Sequence, residues 1–149
     1  MSTAERLVYL PLGGAGEIGM NCYVYGYGPA EAERFIMVDV GVAFPDMDGT
    51  PGIDVILPDV AWIEARADRL DGIFITHAHE DHVGALGHLW ARLKTPVFCR
   101  PFTGIHAARK LDEAGQDPDA ILRICQPWPE VIEAGPFRVQ FAPVSHSIP

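Results

Sequence analysis

Long apolar runs are missing from this 149-residue chain. None approaches the roughly 20 residues that a helix needs to cross a bilayer. The opening residues, Met1-Ser2-Thr3-Ala4-Glu5-Arg6, lack the charged-then-apolar layout of a secretory signal. No membrane role is expected, and a cytoplasmic location is the default. Cysteine is scarce: Cys22, Cys99 and Cys125 are widely spaced, odd in number and form no C-x-x-C pair. That pattern argues against a disulfide framework and against a structural zinc knuckle. Cys99 ends the apolar run Pro96-Val97-Phe98, where a buried, inert thiol is the expectation and a nucleophile the alternative. Basic residues are also short, 11 Lys and Arg against 20 Asp and Glu, for a net charge of −9. A broad basic surface of the kind that grips phosphate backbones is therefore not expected. A nucleic-acid substrate stays open, because a bound metal supplies its own local positive charge.

What is present is an ordinary globular composition, 48% hydrophobic and 21% charged, at the length of one domain. Short apolar runs alternate with helical patches, punctuated by Gly and Pro. Strands are expected at Leu7–Leu10, Cys22–Tyr25, Phe35–Val40 and Ile73–Ile75, and again at Val131–Ile132 and Phe137–Phe141. An irregular connection from Gly41 to Asp59 is long enough to suggest that it lines a site. Helical spacing predicts a helix over Val60–Leu70 with Asp59 as its N-cap. Val83, Leu86, Leu89, Trp90 and Leu93 predict an amphipathic helix, and Phe102–Ala114 a further one. The turn Gly14-Ala15-Gly16-Glu17-Ile18-Gly19 fits G-x-G-x-x-G by letters. No helical pattern follows it, so a dinucleotide-binding reading is rejected. No repeat, low-complexity segment or linker divides the chain.

The densest chemistry lies in Thr76-His77-Ala78-His79-Glu80-Asp81-His82, directly after Gly72-Ile73-Phe74-Ile75. Neutral imidazole and carboxylate are the ligand types that hold zinc and similar divalent ions. A solvated loop is the bland alternative, but loops rarely carry His and Asp this densely. His77 and His79, two apart where a strand opens, can point the same way. Asp81 and His82 begin the next helix and have turned away from that pair. Two diverging ligand sets suit two adjacent metal ions, which in hydrolytic sites lie roughly 3.5–4 Å apart. Further ligands must come from elsewhere. His146, which follows an apolar strand as His77 does, is the best remaining candidate, with a hydrogen-bonded surface histidine as the alternative. Asp39, at another strand end, could orient a ligand imidazole or be an ordinary strand-end carboxylate. His88 and His106 are expected to be surface or packing residues.

His77-Ala78-His79-Glu80-Asp81-His82 matches the H-x-H-x-D-H signature of the metallo-β-lactamase superfamily. With Leu10–Asn21, Val38-Asp39-Val40-Gly41, Pro51-Gly52-Ile53-Asp54 and His146-Ser147-Ile148-Pro149 beside it, the chain resembles the N-terminal part of the bacterial ribonuclease J family, in the β-CASP group. The resemblance implies the N-terminal half of a four-layer αββα sandwich, α+β in class, occupying residues 1–149 as one incomplete domain. It implies two divalent metal ions, usually zinc with manganese also accepted. His77, His79 and His146 would hold one ion. Asp81 and His82 would hold the other and form the catalytic pair, with Asp39 supporting a ligand from behind. The implied activity is hydrolysis of RNA phosphodiesters, endonucleolytic and 5′-to-3′ exonucleolytic, on 5′-monophosphorylated RNA by a homo-oligomer. The family's bridging aspartate and last metal-binding histidine have no counterpart here. The chain is therefore expected to be a partial domain, inactive alone and prone to self-association. Another superfamily hydrolase, acting on a thioester, lactam or DNA, and a non-catalytic metal-binding module are the rival readings.

Overall fold

A computed structural model of the chain describes residues 4–46 and 49–146. Ser147-Ile148-Pro149, the end of one family-like segment, lies outside them. Three strands, β1 (Glu5–Gly13), β2 (Cys22–Pro29) and β3 (Arg34–Val38), form an antiparallel meander. The sheet then continues in parallel through β4 (Leu70–Phe74), β5 (Val97–Cys99) and β6 (Leu122–Ile124), giving the order β1-β2-β3-β4-β5-β6. Parallel neighbours need crossovers. These carry α1 (Ala61–Glu64), α2 (Glu80–Val83), α3 (Leu86–Leu93), α4 (Pro101–Glu113) and α5 (Pro118–Ile121). A separate hairpin, β7 (Ile132–Ala134) with β8 (Phe137–Val139), closes the described chain.

Strand side chains alternate between two faces, and the core divides accordingly. Phe35 and Met37 of β3, Ile73 of β4, and Val97 and Cys99 of β5 pack with Ile63, Leu86, Leu89, Leu93, Ala107 and Leu111 from the helices. The intervening Ile36, Phe74 and Phe98 face the other way, against Ala134, Ile132, Phe137 and Val139 of the hairpin. The result is one helical layer, one mixed six-stranded sheet and the start of a second β-layer. This is an N-terminal part of a metallo-β-lactamase fold, as the family-like segments imply. No helix among the described residues is long and apolar enough to cross a membrane.

The elements depart from their sequence patterns where tertiary pairing overrides periodicity. The helix expected over Val60–Leu70 is only α1 followed by a 3₁₀ turn at Ala67–Arg69. Leu70 is claimed by the sheet instead, pairing with Phe35 and 6% exposed. The N-cap is Val60 and not the expected Asp59, which sits one residue earlier with its Oδ1 accepting from Ala61 N at 2.9 Å. The amphipathic stretch after the histidine cluster is two helices, broken at Gly84-Ala85. There the Ala85 amide bonds the Val40 carbonyl (2.9 Å), while the Asp81 and His82 carbonyls accept from Asn21 N and Val40 N. β5, β6 and α5 were not anticipated, because three- or four-residue elements carry too little pattern to register.

Candidate metal centre

β3 and β4 are parallel neighbours whose ends fall side by side, Val38 opposite Phe74. The chain leaves each strand at the same sheet edge, which brings Asp39 beside Thr76. Asp39 takes a left-handed backbone conformation (φ 62°), one that Asp tolerates better than most residues. Its amide still bonds the Phe74 carbonyl (2.9 Å), and its carboxylate is only 3% exposed at the residue level. That carboxylate is fully used. Oδ1 accepts from Thr76 N (2.8 Å), both oxygens lie 2.9–3.0 Å from Thr76 Oγ1, and Oδ2 lies 2.7 Å from His82 Nδ1.

The consequence is a defined imidazole orientation. A carboxylate only accepts, so His82 carries its proton on Nδ1 and presents the Nε2 lone pair outward. Thr76 Oγ1 donates to Asp39 and lies 2.9 Å from His77 Nδ1. Its remaining lone pair accepts from that nitrogen, which leaves His77 Nε2 free of a proton. His77 Nε2, His79 Nδ1 and His146 Nε2 then form a near-equilateral triangle with sides of 3.0, 3.0 and 3.1 Å. Beside it the His82 ring centroid is 4.0 Å from that of His77, and His82 Nε2 is 3.5 Å from Asp81 Oδ2.

A second scaffold comes from the start of β2. Asn21 Nδ2 lies 3.1 Å from the Asp81 carbonyl, 3.1 Å from Asp81 Oδ2 and 3.1 Å from His82 Nε2. Asn21 Oδ1 accepts from the Tyr23 hydroxyl (2.8 Å), which also lies 3.2 Å from the Gly14 carbonyl. Backbone contacts tighten the same clamp: Asn21 N donates to Asp81 O, Gly41 N to Asn21 O and Val40 N to His82 O, all at 2.8–2.9 Å. Gly41 must be glycine here, since a Cβ would sit 1.6 Å from the Asp81 carbonyl oxygen.

Electrostatics separate the two histidines. Burial pushes the His77 pKa below its ordinary value, reinforced by the neighbouring His82, so the neutral, ligating form is favoured. Burial acts the same way on His82, but the hydrogen bond and charge of Asp39, with Asp81 behind them, outweigh it and raise its pKa. The thiols behave as inert core groups. Burial pushes Cys22 and Cys99 up to about 12, and Cys125 is also raised.

The donor set fits a divalent cation. Tetrahedral zinc with Zn–N bonds of about 2.0–2.1 Å sets its nitrogens ~3.3 Å apart, within a few tenths of an ångström of the observed triangle. These three histidines are a metal-competent group on geometry. Asp81 and His82 offer a carboxylate and an imidazole immediately beside it. The structure thus brings together all six residues singled out in the sequence: Asp39, His77, His79, Asp81, His82 and His146. His88 and His106 lie elsewhere, exposed on α3 and α4, with His106 against the Phe102 ring at 5.0 Å. Asn21, Thr76, Tyr23 and Gly41 had no assigned role from sequence. Asn21 and Gly41 were marked only by membership of the family-like segments, Thr76 only by adjacency to the histidine run, and Tyr23 only by its place in an expected strand.

A histidine-rich edge of a mixed αβ sheet, built on H-x-H-x-D-H and able to hold a divalent cation, defines a class. A profile of the metallo-β-lactamase superfamily matches residues 16–146, and the chain belongs to that superfamily. Within it, the chain is 47% identical over 150 residues to ribonuclease J of Sinorhizobium meliloti, covering 100% of this chain and 26% of that protein. It is 40% identical over 147 residues to ribonuclease J of Corynebacterium glutamicum, covering 98% of this chain and 19% of that protein. It is 34% identical over 145 residues to ribonuclease J2 of Bacillus subtilis, covering 97% and 25%. The chain matches the N-terminal part of ribonuclease J and spans about a quarter or less of the length of these relatives.

Proposed function

We propose that residues 1–149 are the metal-binding N-terminal part of a metallo-β-lactamase domain that hydrolyses RNA phosphodiesters. His77, His79 and His146 would hold one divalent cation, and Asp81 and His82 a second. Zinc is the leading ion, and manganese is accommodated by the same donors. The observation that carries this reading is the convergence of three imidazole nitrogens at 3.0–3.1 Å beside an Asp–His pair. Bound cations supply Lewis acidity toward the phosphodiester and lower the pKa of an attacking water to about 7. The chain's own residues prepare that environment. Asp39 accepts the Nδ1 proton of His82, Thr76 aligns His77, and Asn21 holds the Asp81 carboxylate in place.

Relatives named ribonuclease J support RNA as the substrate class. The fuller reading is cleavage of 5′-monophosphorylated RNA, internally and from its 5′ end, by an assembly of identical subunits in the cytoplasm. A substrate panel tests it. Metal-loaded protein carrying this segment within a complete catalytic domain is incubated with 5′-monophosphorylated RNA, the matching DNA, a thioester and a β-lactam. RNA cleavage that disappears in His77→Ala supports the proposal; turnover of another panel member with RNA left intact overturns it.

A further inference from the structure

Arg100 sits between β5 and α4, in the wall of a cavity of about 680 Å³. Thr76, His77 and His146 line the same cavity, with Phe102, Phe141 and Val144 supplying much of its apolar wall. Five other arginines, Arg6, Arg34, Arg69, Arg92 and Arg109, each meet an acidic side chain, and Arg66 and Arg123 donate to backbone carbonyls. Arg100 meets none among the described residues, and its Nε is sealed from solvent without a hydrogen-bond partner. Leaving a guanidinium N–H buried and unbonded is costly. An anion entering the cavity beside His77 and His146 would complete this group.

Resting on the RNA-hydrolase reading, we infer that this cavity is a nucleotide subsite: Arg100 takes a backbone phosphate of single-stranded RNA next to the one at the histidine triangle, and Phe102 takes a base. The guanidinium fork matches phosphate oxygens bidentately. The exposed Phe102 ring, 42% accessible at the residue level, offers a face on which any base can stack. A metal at the histidines and a cation at Arg100 would place two positive centres along one strand. That overcomes a surface otherwise unfavourable to nucleic acid.

Fluorescence anisotropy with a 3′-fluorescein-labelled, 5′-monophosphorylated single-stranded oligoribonucleotide tests this on the zinc-loaded chain, across a salt series. Arg100→Gln should weaken binding about tenfold or more and reduce the slope of log affinity against log salt by about 0.7. Arg100→Lys should keep the slope, and Phe102→Ala should lose affinity with the slope unchanged. Removing an unpaired cation should leave the melting temperature of Arg100→Gln the same or higher; a marked fall would assign Arg100 a structural role and overturn the inference. Wild-type-like affinity and slope in Arg100→Gln would overturn it while leaving the RNA-hydrolase reading intact. Inorganic phosphate, titrated calorimetrically, separates the remaining cases. Arg100-dependent phosphate binding without RNA binding keeps the anion subsite and overturns RNA as its source. Loss of both probes overturns subsite and RNA source together.

Discussion

Asp39 shows how one carboxylate can set the chemistry of several neighbours. It takes the Thr76 amide, the Thr76 hydroxyl and His82 Nδ1, and through them decides which nitrogen of His77 and His82 is left to bind a cation. Replacing one of its oxygens by an amide, in Asp39→Asn, turns an acceptor into a donor and favours the wrong His82 tautomer. Zinc affinity should fall about 10- to 100-fold, measured by competition with a chromophoric chelator; unchanged affinity would count against the orienting role. Gly41 is the steric counterpart. A methyl group there meets the Asp81 carbonyl at 1.6 Å, so Gly41→Ala must displace either the clamp or the first turn of α2. We expect a loss of about 3 kcal/mol in urea unfolding, with the Asp81 contribution to metal binding lost alongside.

Among the elements, the parallel β3–β4 pair positions the site, and its placement relies on what holds the antiparallel half of the sheet. Glu33, 3% exposed at the entrance to β3, ties β1 to the turn before β4. It bonds Arg6 of β1 and lies 3.7 Å from Arg69. Burial alone would raise its pKa, but its own amide and the two guanidinium groups more than offset this and hold it below the ordinary carboxylate value. A carboxylate depressed in the folded state stabilises at pH values above its unfolded pKa, about 4.3, and that contribution disappears as pH falls through the folded value. Glu33→Gln should therefore melt lower than wild type at pH 7. The gap should close in scans below about pH 4. A gap constant from pH 7 to pH 3 would remove the ion-pair explanation. The α2–α3 break follows the same logic: the 39–42 segment takes up the Glu80 and His82 carbonyls and Asn21 that of Asp81, so helical continuity yields to site geometry.

For the whole molecule, the described chain is a helical layer on one sheet face with a small hairpin on the other. The candidate centre lies at the shared edge of β3 and β4, and His146 reaches it from beyond β8. Metal binding should therefore couple strand ends that are far apart in sequence and raise global stability. At free zinc about 100 times its dissociation constant, linkage gives about 2.7 kcal/mol, a rise of roughly 5–10 °C for a chain of this size. Differential scanning calorimetry with zinc and with a chelator should show that shift in wild type. It should be absent in the His77→Ala/His79→Ala double variant. An equal shift in both would place zinc elsewhere.

Much of this site could be read without coordinates. His77 to His82 announces its chemistry because ligands on one turn are close in sequence as well as in space. Asp39 and His146 were recoverable because strand ends tend to deliver polar residues to sheet edges. The alternation in β3, β4 and β5 likewise dictates two buried faces, whatever packs on them. Tertiary structure alone decided the rest. Asn21 touches Asp81 across 60 residues, Gly41 exists to let a backbone pass, and Arg100 stands unpaired only because of what the fold puts around it. Such roles depend on which neighbours a residue meets after the sheet has assembled. Short-range periodicity holds no information about that. The same reason explains why Leu70 left its helix for the sheet: burial beside Phe35 outweighs the modest helical preference of a single turn.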